Sequence, residues 1–198
     1  LDPSVPMKDS GIEWIGEVPE HWEVKRLKYL GVAIIGLTYD PTDVVDDQNQ
    51  GILVLRASNI QNSSLSMLDA VYVDKKIPEK LLTRKGDILI CSRSGSKNLI
   101  GKNLMITEEL SECTFGAFMT VFRSPHSEYI SKVLNSPIFL NQTGLFTTTT
   151  INQLTTGILN NFVIPFPTDE VEREKIVNYI DKEIKPLDAL ISKSKQQV

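Results

Sequence analysis

Three polar segments of this chain carry residue types suited to binding rather than to reaction. The first is Ser92-Arg93-Ser94-Gly95-Ser96-Lys97-Asn98-Leu99-Ile100-Gly101-Lys102. Small side chains and glycine let backbone N–H groups come close to an anion, hydroxyls and Asn98 add donors, and Arg93, Lys97 and Lys102 add charge. Arg and Asn are also the side chains that can grip guanine and adenine edges through paired hydrogen bonds. The second segment, Leu55-Arg56-Ala57-Ser58-Asn59-Ile60-Gln61-Asn62, places donors directly after an apolar run, where a rigid strand end can aim them. The third is Thr147, Thr148, Thr149 and Thr150 with Asn152 and Gln153, rich in hydroxyls and amides and free of charge. Each has a plainer reading as well: a solvated hairpin turn, an ordinary strand end, a β-prone connector.

Catalytic chemistry fails on residue supply. The two histidines, His21 beside Trp22 and His126 after Pro125, have no Cys, Asp or Glu at metal-ligand spacing, and both read as structural. Ser94-Gly95-Ser96 lacks the Gly-x-Ser-x-Gly elbow of a hydrolase. Gly95 to Asn103 superficially resembles a phosphate-binding P-loop, but five residues rather than four separate its glycines. Asn103 also stands where Ser or Thr would ligate magnesium. No Gly-x-Gly-x-x-Gly is present, and no Asn/Asp-Pro-Pro-Tyr/Phe segment that would hold a flipped base. The chain reads as non-catalytic and holds no metal or cofactor of its own.

The elements that must position these residues follow from pattern. At 198 residues, 41% hydrophobic and 23% charged, the chain has the composition of a folded domain with an appendage, and no apolar run reaches the length of a membrane span. Cys91 and Cys113 sit in apolar stretches and read as small buried hydrophobes in a reducing, cytoplasmic setting. The net charge of −4 argues weakly against a nucleic-acid partner, but distribution outweighs the sum. Asp40, Asp43, Asp46 and Asp47 form an acidic stretch, whereas Arg84, Lys85, Arg93, Lys97 and Lys102 fall within nineteen residues and predict one locally positive region.

The expected fold class is mixed α/β (α+β), β-rich over residues 1–167, followed by a coiled-coil-type helix over 168–198. The opening segment with Trp14 and Trp22 reads as irregular chain clamped by aromatic area. Apolar runs predict strands at 52–55, 70–73, 87–91, 101–106 and 118–123, the last by alternation. Helices are expected at 78–82, at 127–134 with Ser127 as cap, and after Thr150 with Asn152 as cap. Beyond Ile164-Pro165-Phe166-Pro167, Thr168 caps a final helix whose Val177, Ile180, Ile184, Leu187 and Ile191 recur at alternating three- and four-residue spacings, a pairing seam. Its outer charges read as a solvated face, and Pro186 is expected to kink or restart it. The sequence lacks an initiator Met and stops in mid-helix, as part of a longer chain would.

Lys8-Asp9-Ser10-Gly11-Ile12-Glu13-Trp14-Ile15-Gly16-Glu17-Val18-Pro19-Glu20-His21-Trp22-Glu23-Val24 resembles the opening of the specificity (S) subunit of type I restriction–modification systems. So do Arg56-Ala57-Ser58-Asn59-Ile60, Lys85-Gly86-Asp87-Ile88-Leu89-Ile90 with its following loop, and Leu159 to Pro167 leading into Glu172-Arg173-Glu174-Lys175-Ile176. Two departures stand out: Pro165-Phe166-Pro167-Thr168-Asp169-Glu170 replaces the usual Pro-Leu-Pro-Pro-Leu approach, and Pro186 interrupts the spacer helix. Members of that family are about twice this length, so the resemblance covers one half: a first target-recognition domain and the start of a spacer helix.

The resemblance implies reading of one half of a bipartite site in double-stranded DNA. It also implies helix pairing with a second specificity half or in a homodimer, and docking of methylation (M) and restriction (R) subunits. S-adenosylmethionine, ATP and Mg would belong to those partners alone. Under it, Arg93, Ser94, Gly95, Ser96, Lys97, Asn98 and Lys102 form the leading contact set, with the lysines on phosphate and Arg93 and Asn98 on bases. Arg56, Ser58, Asn59 and Gln61 are secondary contacts, as are Thr147 to Thr150 and Asn152. The competing reading is a docking domain that uses its helix and touches no DNA.

Overall fold

A computed structural model describes residues 4–46, 49–61, 64–146 and 153–195. In chain order the strands are β1 (Met7–Asp9), β2 (Glu17–Pro19), β3 (Glu23–Arg26), β4 (Val32–Ile35), β5 (Val44–Val45), β6 (Ile52–Leu55) and β7 (Ile60–Gln61). They continue with β8 (Ser64–Leu65), β9 (Tyr72–Val73), β10 (Ile88–Cys91), β11 (Asn103–Met105), β12 (Thr114–Phe115), β13 (Met119–Arg123) and β14 (Val163–Phe166). The helices are α1 (Ser127–Leu134), α2 (Pro137–Phe146), α3 (Thr156–Asn161) and α4 (Glu170–Lys195). The chain divides into two compact units, one of Lys25–Ile164 and one of Leu1–Val24 with Pro165–Val198.

The larger unit holds two four-stranded sheets. The first, in the order β11-β10-β13-β4, is antiparallel throughout. The second runs β12-β6-β9-β5, with β12 parallel to β6 and the remaining pairs antiparallel. One core joins them: Leu89, Cys91, Met119 and Val121 come from alternate positions of β10 and β13, and Val54, Leu55, Val73 and Phe115 come from the second sheet. The opposite face of β10 and β13 is closed too, with Ile88, Ile90 and Phe122 fully buried. Helix α1 packs on the edge strand β11, α3 on the edge strand β4, and α1 on α2. A strand covered on both faces reads as a continuous apolar run, which is why β10 is Ile-Leu-Ile-Cys. For the same reason the alternation expected over 118–123 is not a solvent-facing one: Met119 to Phe122 are all buried.

Other local expectations change for local reasons. The segment 78–82 makes only a single 3-10 turn, Glu79–Leu81. Ser127 is the first helical residue of α1 rather than its cap, and its hydroxyl donates to the Ser124 carbonyl at 2.7 Å. α3 starts later than expected, with Thr155 as cap accepting the Ile158 N–H at 3.2 Å. α2 carried no helical stripe because its apolar residues do not gather on one face, although Pro137 stands at its start as a helix-opening proline would.

In the smaller unit β1 pairs antiparallel with β2. The aromatic clamp falls on Trp22, which is half-buried and donates its indole N–H to Glu172 Oε1 at 3.0 Å, while Trp14 is 37% exposed. His21 Nε2 lies 2.9 Å from the other oxygen of the same carboxylate. The cap of α4 is Asp169 rather than Thr168: its carboxylate accepts the Val171 N–H at 3.1 Å. Arg173 does not belong to a solvated face. It is buried, donates to the carbonyls of Pro167 and Thr168 at 2.7 and 2.9 Å, and lies 4.8 Å over the Phe166 ring. α4 continues unbroken through Pro186 to Lys195, so the expected restart does not occur.

Candidate nucleic-acid interface

The antiparallel register of β10 and β13, Ile88↔Phe122 through Cys91↔Met119, gives this two-strand ribbon two ends of opposite character. At one end Asp87 meets Arg123; at the other Ser92 and Arg93 meet Phe118.

The Asp87 end is closed. Asp87 is 2% exposed, and its carboxylate accepts Arg123 Nε at 2.8 Å, Arg123 Nη2 at 2.7 Å and the Arg84 N–H at 2.9 Å. Arg123 Nη2 also donates to the Leu82 carbonyl at 2.9 Å, and the bond to Asp87 raises its already high pKa further. Gly86, at φ +84°, makes the turn that a side chain would strain, so Lys85-Gly86-Asp87 is a fold-forming motif. Arg84 pairs with Glu79 at 3.1 Å and Lys85 with Glu108 at 3.5 Å. The single positive region expected from sequence is therefore split. Arg84 and Lys85 precede β10, Arg93, Lys97 and Lys102 follow it, and a four-residue strand spans about 13 Å.

The Arg93 end is open. The Phe118 carbonyl accepts the N–H groups of Ser92 at 2.9 Å and Arg93 at 3.0 Å, and the Ser92 hydroxyl at 3.0 Å. The Arg93 guanidinium lies over the Phe118 ring, 5.5 Å from its centroid. Gly95, Ser96 and Asn98 are exposed, Ser94 is half-buried with its hydroxyl accepting the Ser96 N–H at 3.2 Å, and Lys102 is half-buried. Lys97 opens a short 3-10 turn, Lys97–Leu99, and is placed by its backbone alone. The two glycines differ: Gly101, at φ +82°, is required to return the chain to β11, whereas a Cβ on Gly95 would meet nothing within 4 Å.

The second candidate segment reaches the same place. Arg56, Ala57 and Ser58 line a groove of about 420 Å³ together with Leu37, Thr38 and Tyr39 and with Gly116 to Met119, Phe118 included. Arg56 donates through Nη2 to the Asp69 carbonyl, and its Nε is buried with no acceptor among the described residues. Asn59 is different in kind. It is 1% exposed, with Oδ1 accepting the Arg56 N–H at 2.8 Å and Nδ2 donating to the Ser66 carbonyl at 3.0 Å, so its amide shapes the turn that presents Arg56 and Ser58. Gln61 ends β7 and is placed by backbone alone. Of the third segment, Thr147 to Thr150 and Asn152 lie outside the described residues. Gln153, which follows them, forms an antiparallel bridge with Arg93, and the Leu154 N–H donates to the Ser92 carbonyl at 2.8 Å.

Sequence reasoning missed the residue that joins these pieces. Phe118 opens the strand expected by alternation over 118–123, yet it lies in the turn before β13 and is 57% exposed between a loop and a groove. The available signal was Gly116-Ala117 directly before it, small residues that let the chain turn at the rim. Gly36 confirms the tightness there, since a Cβ on it would lie 2.2 Å from the Gly116 carbonyl oxygen. Among the described residues no His, Cys, Asp or Glu group is placed to hold a metal, and no helix is long and apolar enough to cross a membrane.

Known proteins resemble this arrangement in sequence and in fold. The family model for the type I restriction modification DNA specificity domain matches residues 19–198. The type I restriction enzyme EcoKI specificity subunit of Escherichia coli (strain K12) is 30% identical over 159 residues, 77% of this chain and 34% of that protein. The StySPI specificity subunit of Salmonella potsdam is 29% identical over 170 residues, 82% of this chain and 36% of its own. Among solved structures, a chain from work on complex assembly and conformational transition of the type I R-M system superposes with a TM-score of 0.72 at 19% identity, covering 91% of this chain and 42% of that one. The HsdS subunit from Thermoanaerobacter tengcongensis gives 0.69 at 17% identity, covering 97% and 43%. At these identities the solved structures bear on the fold, and the chain spans about a third of the length of its curated relatives.

Proposed function

We propose, from the premise that this chain belongs to the type I restriction modification DNA specificity family, that the open end of its β10–β13 ribbon reads one half of a bipartite sequence in double-stranded DNA. Specificity subunits are non-catalytic. Methylation and restriction subunits would carry the chemistry with S-adenosylmethionine, ATP and Mg. The observation that carries the reading is the convergence, on Phe118, of the Arg93 loop and the Arg56–Ser58 turn, two segments selected independently for residue chemistry. Arg93 and Asn98 are the base readers of this proposal, Lys97 and Lys102 grip phosphate, and Ser58, Ser94 and Ser96 supply neutral donors. Asn59 holds the turn and makes no contact. Thr147 to Thr150 and Asn152 remain contact candidates because Gln153 is tied to Arg93.

α4 would measure and recruit. Val177 is buried, Ile180 half-buried and Ile184 43% exposed, so the register that begins in this unit's core runs out toward solvent. With Leu187 and Ile191 it offers a seam for a second specificity half or a second copy. The exposed Tyr179 and Ile184 also favour the docking-only alternative. Selection from random oligonucleotides by the chain assembled with methylation subunits separates the two. Enrichment of a defined half-site that disappears when Arg93, Lys97 and Lys102 are replaced together supports recognition, and selection indifferent to that triple change favours docking alone. Lys97→Ala and Lys102→Ala should each weaken all sequences alike and lower the slope of log affinity against log salt by about one. An unchanged slope removes that lysine from the interface.

A further inference from the structure

We infer that Phe118 is a specificity-positioning residue: its ring holds the Arg93 guanidinium in the pose that reads a guanine. The inference rests on the recognition reading above and names the residue that makes one contact of it selective.

Three observations carry it. Phe118 stands 57% exposed in the turn directly before β13, between Phe115 and Met119, both fully buried, so the turn presents one large aromatic outward at the rim of the core. The backbones of the two residues are locked together, because the Phe118 carbonyl accepts the Arg93 N–H at 3.0 Å and both donors of Ser92, while Gln153 bridges Arg93 from its other side. The position of the Arg93 Cα is thus fixed by backbone hydrogen bonds and a bridge at the end of β10, and the remaining freedom lies in the side chain. That freedom is limited by the ring, with the guanidinium carbon 5.5 Å from its centroid.

A guanidinium whose carbon lies over a ring leaves N–H donors directed away from it, and among the described residues those of Arg93 have no hydrogen-bond or ion-pair partner. A planar fork held with its edge free is the geometry that pairs with O6 and N7 of guanine in the major groove. Arg56, Arg123 and Arg173 all have donors engaged by carbonyls or a carboxylate within the fold. Stacking at an exposed site is a weak force, so the ring sets direction and the base contact supplies discrimination.

The test is selection and affinity measurement with the chain assembled with the methylation subunits of its system. Arg93→Ala should relax preference at one guanine by roughly ten- to a hundredfold. Phe118→Ala should relax the same position by about two- to fivefold, add nothing in the Arg93→Ala background, and leave the salt slope unchanged. Phe118→Trp should restore the preference, and Phe118→Leu, which keeps apolar bulk without a π face, should not. Circular dichroism establishes that each variant is folded. A wild-type assembly that enriches no sequence sinks the recognition reading itself. If the wild type enriches a site but Phe118→Ala leaves every position unchanged, relaxes a different one, or weakens all sequences equally, this inference alone is overturned.

Discussion

The two ends of the β10–β13 ribbon are built from the same strands, a few residues apart, and they use arginine in opposite ways. At the closed end Arg123 spends its donors on a buried carboxylate and a carbonyl, and the residues around it, Arg84, Lys85 and Gly86, serve the turn or pair with nearby acids. At the open end the backbone is held through Phe118, Ser92 and Gln153, but the Arg93 guanidinium has no hydrogen-bond partner among the described residues. The lesson is that charge and motif do not separate scaffold from contact surface. Satisfaction does: Arg123, its Nε and Nη2 committed to a carboxylate and a carbonyl, holds the fold, whereas Arg93, its backbone fixed and its fork free of hydrogen-bond partners among the described residues, is the one proposed to meet a partner.

The sharpest attack on that contrast is to remove each arginine. Arg123→Ala leaves Asp87, 2% exposed, as a buried charge without its partner, and about 3–5 kcal/mol of stability should be lost. Asp87→Ala should cost less, because the Arg123 side chain is 23% exposed and can take up water. Arg93→Ala, by contrast, should fall within about 0.5 kcal/mol of wild type. Urea unfolding of the three variants measures all of this, and comparable losses at both ends would erase the distinction.

A smaller effect tests whether the open end rests on a rigid base. A methyl on Gly36 would lie 2.2 and 2.4 Å from the carbonyl oxygens of Gly116 and Phe115, and backbone cannot swing aside as a side chain does. Gly36→Ala should therefore cost about 1–3 kcal/mol and misplace Phe118. Gly95→Ala is the opposite case. Nothing lies within 4 Å of its added methyl, so stability should hold or rise by about 0.4–1 kcal/mol. DNA affinity should nonetheless fall, if glycine is there for the close approach of a phosphate; unchanged affinity would make Gly95 an ordinary loop residue.

This contrast also marks how much was legible in the sequence. Strand runs such as Ile52–Leu55 and Ile88–Cys91, the helix at Ser127–Leu134 and the long terminal helix could be read, because each rests on local pattern. The loop after β10 was legible as a candidate because its chemistry is contiguous. What could not be read were relations set by register. Arg84 and Arg93 are nine positions apart in sequence and lie at opposite ends of a strand. Phe118 meets Ser92 and Arg93 only because β13 runs antiparallel to β10. Asn59 has a contact residue's chemistry, and only burial reveals that its amide is committed. Arg173 looked solvated for the complementary reason, since its partners are carbonyls that no residue pattern displays.

The least of the expected effects is a dependence on pH that should belong to one end only. Cys91 closes β10 beneath the open end, 1% exposed, and burial pushes its thiol pKa up against the weaker downward pulls of the Arg93 backbone and the charge of Lys102. A folded-state pKa above the unfolded value means that stability is fully present below about pH 8.5 and is lost as pH rises through the folded value. The stability difference between wild type and Cys91→Ala should therefore shrink from pH 8 to pH 10. Burial raises the Cys113 thiol as well, so that cysteine is kept in both proteins and cancels in the comparison. At the closed end no such slope is expected, since Asp87 keeps the Arg123 guanidinium charged throughout that range. A wild-type-minus-variant difference that stays flat would mean that water already reaches the base of the open end, and the firm platform on which Arg93 and Phe118 stand would have to be abandoned.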